Sequence, residues 1–269
     1  MATVLESNKT KIAKRVIEVF EFFGGNHRQA TVMDIVRQYG RPQSSTSELL
    51  ASLVEMGLLY KDPRSRTYTP TPRLATLGSG AQPDMVRNGQ LFSFIDRLAQ
   101  SSRHSVALFG MVGTHVQIFR WSPGMFALGN DIGCGTSERL SESAAGQLLL
   151  STLPSDASGK LLRRLNAEAP EDRKFSFSAL QERVTQFGRQ GYATGAAGFG
   201  CQGRVTAMLI PQGGGERPLA VGVVYPEDSA VDPGALIATM QAGLESCGAD
   251  RSDDFSPMPS HMPSLMRAV

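Results

Sequence analysis

The chain has 269 residues, 41% hydrophobic and 19% charged, with a formal net charge of +2. That length holds two domains with ordinary cores. No run of eighteen apolar residues and no signal-like apolar N-terminus exists, so a soluble cytoplasmic protein is expected. Three scattered cysteines, Cys134, Cys201 and Cys247, do not form a zinc motif and fit free thiols in a reducing compartment.

In chain order, residues 11–23 place Ile12, Val16, Val19, Phe20 and Phe23 on one helical stripe. Gly24, Gly25 and Asn26 should end that helix. Thr31 then caps a second helix, with Asp34 supporting its first turn. Val32, Ile35 and Val36 form its inner face, and Tyr39-Gly40 ends it. The turn Gly40-Arg41-Pro42 leads into a third helix with Leu49, Leu50, Leu53 and Val54 facing inward. Two short helices joined by a Gly-containing turn is a helix-turn-helix arrangement. The third helix starts with Gln43, Ser44, Ser45, Thr46 and Ser47, short polar side chains suited to base edges in a major groove. Ser45 with Glu48 also fits a capping box, the bland role for these residues. Leu58-Leu59-Tyr60-Lys61 and Arg66-Thr67-Tyr68-Thr69 flank a turn at Asp62-Pro63-Arg64-Ser65, which predicts a hairpin. Arg64 and Arg66 at its tip make it a candidate wing.

Charge agrees in sign. Residues 1–78 carry a net +4 and the remainder a net −2, a small electrostatic footprint that predicts weak binding by one module and a need for two half-sites.

Pro70, Pro72 and residues 78–83 read as a linker, followed by a helix over 84–102 with Leu91, Ile95 and Leu98 inward. That helix could supply a dimer interface or pack on its own domain. Strands are expected over 105–109 and 114–121, then a Gly-rich loop over 128–140. Ser143 caps a small-sided helix over 144–152, and Ser178 with Gln181 reads as a second capping box. Strands follow over 204–210 and 219–224, joined across 212–215, and Asp232-Pro233 opens a last helix carrying Ile237, Met240 and Leu244. The tail from Asp250 has too little periodicity to fold alone. Antiparallel strand pairs with interspersed helices give an α+β class.

Taken together, the run Pro42-Gln-Ser-Ser-Thr46, Leu49-Leu50, Leu53, Gly57-Leu58-Leu59, Tyr68 and Leu77-Gly78 is similar to the N-terminal pattern of one family. Leu140-Ser-Glu-Ser-Ala-Ala-Gly-Gln-Leu-Leu-Leu150, Arg189-Gln-Gly-Tyr-Ala193 and Pro218-Leu-Ala-Val-Gly-Val223 are similar to its C-terminal pattern. Over residues 10–248 the chain resembles the IclR family of bacterial transcriptional regulators. The resemblance implies a winged helix-turn-helix domain over 1–78, a linker and linker helix over 79–102, and a GAF-like antiparallel-sheet effector domain over 103–249. It also implies double-stranded DNA and a small organic molecule as partners, no cofactor, and a homodimer or dimer of dimers, and the effector expected here is an organic acid of aromatic type. DNA contacts are expected from Arg41, Gln43, Ser44, Ser45, Thr46, Ser47, Arg64 and Arg66. Effector contacts carried over from the family fall on Gly133, Cys134, Thr136, Ala144, Ala145 and Gly146, with Gly203, Thr206 and Val221 opposite. Small residues let a ligand approach the backbone.

Three departures stand out. Glu48 occupies a place where the family commonly has arginine. Residues 196–200 lack the acidic residue that usually follows Gly-Tyr-Ala. Leu209 stands where a proline is usual. Among competing readings, an enzyme lacks a Gly-x-Ser-x-Gly elbow, a His-Glu-x-x-His pair and clustered histidines. A C-terminal domain that only oligomerises is the alternative to a sensor. A redox switch at Cys134 or Cys201 has no neighbouring base to lower a thiol pKa, so both are expected as buried small apolar residues.

Overall fold

In a computed structural model, the described residues are 8–24, 27–79, 82, 84–126, 128, 132–211 and 217–249. The chain divides after Gln82 into two compact units. The expected helix stop at Gly25-Asn26, the join across 212–215 and the tail from Asp250 lie wholly or largely outside the described residues.

In the first unit, helix α1 spans Asn8–Gly24, α2 Val32–Tyr39 and α3 Gln43–Glu55, followed by strands β1 (Leu59–Lys61) and β2 (Tyr68–Pro70) and helix α4 (Arg73–Ser79). The expected stripe of α1 is only partly buried. Val19 and Phe22 reach the core, whereas Ile12 faces solvent. Thr31 caps α2 as its sequence indicates: its hydroxyl accepts from the Asp34 N–H, and the Asp34 carboxylate accepts from the Thr31 N–H at 2.8 Å. Gly40 closes α2 in the left-handed region, at φ 59°. Leu50, Leu53, Leu59 and Tyr68 complete the core, and Tyr68 exchanges two backbone hydrogen bonds with Ala30 that tie β2 to the segment before α2. The region read as a linker after Pro70 instead holds α4. Pro72 precedes its first residue, a place where the missing N–H costs little.

The second unit begins with α5 (Asp84–Arg87) and α6 (Gln90–Ser102). A continuous helix was the expectation here. Gly89 at φ 74° breaks it, and the Asn88 side chain accepts from the Gln90 N–H to restart the chain. Strands β3 (Ser105–Val112) and β4 (His115–Ser122) form the expected hairpin about Gly113. Strand β5 (Ser137–Arg139), helix α7 (Ala144–Leu150), helix α8 (Ser155–Glu168), helix α9 (Phe177–Gln190), strands β6 (Tyr192–Ala196), β7 (Gly203–Leu209) and β8 (Leu219–Pro226), and helix α10 (Pro233–Ala249) follow. The six strands make one antiparallel sheet in the order β5-β4-β3-β8-β7-β6.

Alternation along the strands splits this sheet into two cores. Phe109, Ala193, Val205, Ala207, Ala220 and Val224 share one core with α7, α8 and α9. Val106, Leu108, Leu219, Val221, Val223 and Tyr225 share the other with α6 and α10. Helix α6, expected either between the domains or on its own domain, contributes Leu91, Ile95 and Leu98 to that second core. On the α7 face the strands carry small residues, and a Cβ at Gly222 would lie 2.9 Å from Val205 and 3.0 Å from Phe109.

The expected capping box at Ser178 is absent: α9 already begins at Phe177, so Ser178 lies inside the helix. Ser143 caps α7 as expected, accepting from the Gly146 N–H at 3.0 Å.

Thr31→Ala should lower the stability of the first unit by about 1 kcal/mol, the usual cost of an N-cap, measured by chemical denaturation. Hydrogen bonding from Thr31 holds the Asp34 carboxyl below its ordinary range. A depressed carboxylate contributes stability above its unfolded pKa and loses it as pH falls through the folded one. The Thr31→Ala deficit should therefore shrink on acidification. A deficit unchanged between neutral and strongly acid pH would remove Asp34 from the cap.

Candidate functional site

Helix α3 presents Gln43, Ser44, Ser47 and Glu48 to solvent at its N-terminal end. Thr46 does not join them. It is 2% exposed and its hydroxyl donates to the Pro42 carbonyl at 2.9 Å, so its role is internal and the expected DNA contact is corrected. Ser45 and Glu48 form no capping box either. The helix starts at Gln43, directly after Pro42, and Ser45 lies within its first turn. The Ser45 hydroxyl accepts from Arg15 Nη2 at 3.1 Å and reaches the Pro42 carbonyl at 3.3 Å. Arg41 makes a two-point contact with Glu18, Nη2 to Oε1 at 2.7 Å and Nε to Oε2 at 3.3 Å.

These residues border a cleft of about 620 Å³ between α1 and the start of α3, lined by Lys11, Lys14, Arg15, Arg41, Pro42 and Ser45 with Ile12. Four cations converge there. Sequence reading missed Lys11, Lys14 and Arg15, although their spacing of three and four places them on one side of α1.

The wing is a hairpin in which Lys61 pairs with Tyr68. The Asp62 carboxylate accepts from the N–H groups of Ser65 and Arg64, which pull its pKa below the ordinary range. Arg66 sits in the left-handed region, at φ 57°, and donates its N–H to the Asp62 carbonyl. Arg64 and Arg66 are both exposed.

In the second unit, the residues carried over as effector contacts do not meet in one place. Ala144, Ala145 and Gly146 sit in the seam between α7 and the sheet, next to Gly195, whose Cβ would lie 3.2 Å from that of Ala144. Gly203 faces Leu128 and Cys201 on this same face. The 133–136 turn runs along β4, with Thr136 Oγ1 accepting from the Gly133 N–H. Thr206 and Val221 point the other way. The Thr206 hydroxyl bonds to those of Thr194 and Tyr225, and Val221 packs in the α6 and α10 core. Strand alternation therefore removes both from the α7 seam.

Cys134 is exposed, contrary to the expected burial, and its Sγ donates to the Phe119 carbonyl. Cys201 is half-buried, and burial pushes its thiol pKa up. That burial disfavours a thiolate at Cys201.

The seam contains residues that the sequence did not single out. Phe199, in the left-handed region at φ 56°, stacks on Phe109 with ring centroids 6.0 Å apart. Its N–H donates to Glu138 Oε2 at 3.1 Å. A carboxylate from β5 thus meets the 196–200 loop, which has none of its own. Burial and the neighbouring Glu138 raise the pKa of Glu142, which also pairs with Arg173 at 2.9 Å. Among the described residues no cluster can hold a metal ion, and no helix is long and apolar enough to cross a membrane.

Residues 13–63 match the family model for the IclR helix-turn-helix domain. That match runs from within α1 to the wing turn after β1 of the N-terminal unit. The chain is also similar in fold to the IclR of Thermotoga maritima, at 14% identity and TM-score 0.58, over 89% of this chain and 98% of that one. An IclR homolog from Microbacterium hydrocarbonoxydans, solved in complex with 4-hydroxybenzoate, is 20% identical with a TM-score of 0.57 over 89% and 98%. The IclR regulator of Alicyclobacillus acidocaldarius is 17% identical with a TM-score of 0.54 over 89% and 96%. No curated protein sequence matches the chain. The α+β fold, a helix-turn-helix unit followed by an antiparallel-sheet unit, is similar to that of these solved IclR structures.

Gly146 tests the tightness of the seam. A Cβ there would lie 2.5 Å from the Leu140 carbonyl oxygen, a backbone atom. Gly146→Ala should destabilise the second unit by about 1–3 kcal/mol, as overpacking does, despite the gain in helix propensity. An unchanged or raised melting temperature would show that α7 can lift from Leu140 without cost.

Proposed function

We propose that this protein is a DNA-binding transcriptional regulator whose second unit senses a small organic acid. The observation that carries the first part is the exposed polar start of α3 inside an IclR helix-turn-helix domain. Gln43, Ser44 and Ser47 are free of the core and placed where a recognition helix meets base edges. Ser45 and Arg41 stand behind them at the cleft, and Arg64 and Arg66 contact phosphate from the wing. Two copies bound to two half-sites would compensate for the modest charge of one module, which is why a homodimer or a dimer of dimers is the expected form on DNA.

The effector assignment has narrower support. A related fold carries 4-hydroxybenzoate. Here the α7 seam is built from Ala144, Ala145, Gly195 and Gly203, and the Phe109–Phe199 stack places an aromatic ring beside it. An aromatic acid that took the place of Phe199 would keep the stacking and disturb the loop held by Glu138. That disturbance gives the ligand different affinities for two arrangements of the loop, which any ligand-driven change requires. Gly133, Cys134, Thr136, Ala144, Ala145, Gly146 and Gly203 remain the proposed contacts.

Footprinting on DNA upstream of the gene, across a salt series, tests the regulator. Gln43→Ala should cost about 1–3 kcal/mol on the protected site and little on random duplex. Equal losses on both would count against base readout. Arg64→Ala with Arg66→Ala should weaken both and flatten the salt dependence by about 0.9 per lost phosphate contact. For the sensor, 4-hydroxybenzoate, benzoate and aliphatic acids should be compared by thermal shift. A saturable rise of about 2.7 kcal/mol at a hundred times Kd marks a specific ligand. No response to any of these acids would favour a unit that only oligomerises.

A further inference from the structure

The cleft between α1 and α3 contains an acid among its cations. Glu18 is largely buried, with its side chain 13% exposed, and both of its oxygens face the Arg41 guanidinium. Lys11 and Lys14 are exposed on the cleft wall, and Arg15 is tied to Ser45 of α3. A guanidinium held in this fork geometry presents to a carboxylate the same paired donors that it would present to a phosphate.

We propose that this cleft seats a backbone phosphate of the bound duplex and that Glu18 is its built-in competitor. The inference rests on the DNA-binding reading. Lys11 and Lys14 would neutralise the phosphate flanking the segment read by α3. Arg15 would hold Ser45 in place, and Arg41 would pass from Glu18 to the phosphate. Without DNA, Glu18 keeps one cation satisfied and lowers the attraction of the cleft for any polyanion. Electrostatic attraction to phosphate is independent of sequence. Partial neutralisation of the cleft therefore weakens binding to all duplexes alike. On this account Glu18 sets how strongly the protein holds any duplex, and how steeply salt weakens that hold, without touching a base.

The test compares the full-length protein with Glu18→Gln and with Lys11→Gln plus Lys14→Gln, on a random duplex and on the footprinted site, between about 50 and 200 mM salt. Each phosphate contact changes the slope of log K against log salt by about 0.9, or about threefold in affinity over that range. Glu18→Gln should tighten binding to both duplexes and steepen both slopes by about one contact, which leaves the ratio of specific to random affinity nearly unchanged. The double lysine variant should flatten the slope by up to about two contacts. Both lysines are exposed, so that variant keeps the test sound even if Glu18→Gln folds poorly by circular dichroism.

Slopes unchanged in the lysine variant, while the Arg64 and Arg66 variant still flattens its own, would overturn the phosphate seat and leave DNA binding standing. Looser random-duplex binding by a well-folded Glu18→Gln protein would overturn the competitor role. Failure of the wild-type protein to bind any duplex at low salt would overturn the DNA reading, and the seat with it.

Discussion

The geometry of the candidate DNA face depends on the core that holds α1 against α2 and α3, in which Val19, Phe22, Ile35, Leu50 and Leu53 pack together, and the Glu18–Arg41 pair lies beside it. It joins residues 23 positions apart at 2.7 Å. Arg41 is 38% exposed, so the net contribution to stability is of the modest size expected for a partly solvated ion pair. Its consequence is positional. The fork brings Arg41 against α1, Pro42 then starts α3 without a side-chain cap, and Gln43, Ser44 and Ser47 are exposed. Arg15 adds a second tie between the same two helices through Ser45.

The second unit depends on a different constraint, the size of the residues on each sheet face. Strand β8 reads Leu-Ala-Val-Gly-Val-Val-Tyr, an unbroken apolar run buried on both sides. Hydrophobicity does not alternate along it, so periodicity cannot assign its faces. Size comes close to doing so. Leu219, Val221, Val223 and Tyr225 meet α6 and α10, while Ala220 and Gly222, with Ala207 and Ala193 beside them, lie on the α7 face. The small Ala-Ala-Gly start of α7 then approaches the sheet closely. Thr206 and Val221 were assigned to the wrong face because spacing from a family pattern carries no face information. The alternation of small and large residues was present in the chain and would have separated them.

Local signals were legible where one residue satisfies a backbone group nearby. Thr31 with Asp34, Ser143, Gly40 and Asp232 all behave as their positions in the sequence indicate. The Ser45–Glu48 and Ser178–Gln181 patterns match a capping box equally well, yet both helices start earlier. A cap is chosen by where the chain enters the helix, and at Pro42 that entry was set by the turn. Helix α8 escaped notice because Ser155–Glu168 is mostly polar and contains Gly159, with only Ser158, Gly159, Leu162 and Leu165 buried. Strand β5 has three residues and is defined by its partner β4 more than by its own composition. The contact from Glu138 to Phe199 spans 61 positions, and nothing in either segment announces it.

The charge of the first unit shows the same distinction between a sum and an arrangement. A net +4 over 78 residues describes a weak footprint. The cations of the cleft are not spread over that surface, because Lys11, Lys14, Arg15 and Arg41 border one concavity. Exposed charges lose influence beyond a screening length of about 8 Å at physiological salt. A phosphate in the cleft would thus respond mainly to these four and to Glu18, and little to the distant acids that lower the net figure. The same reasoning separates the wing from the cleft. Arg64 and Arg66 stand at an exposed hairpin tip where water screens them fully. The cleft groups lie where part of that screening is excluded, so exchanging Glu18 for a phosphate there turns on local geometry and the balance of desolvation.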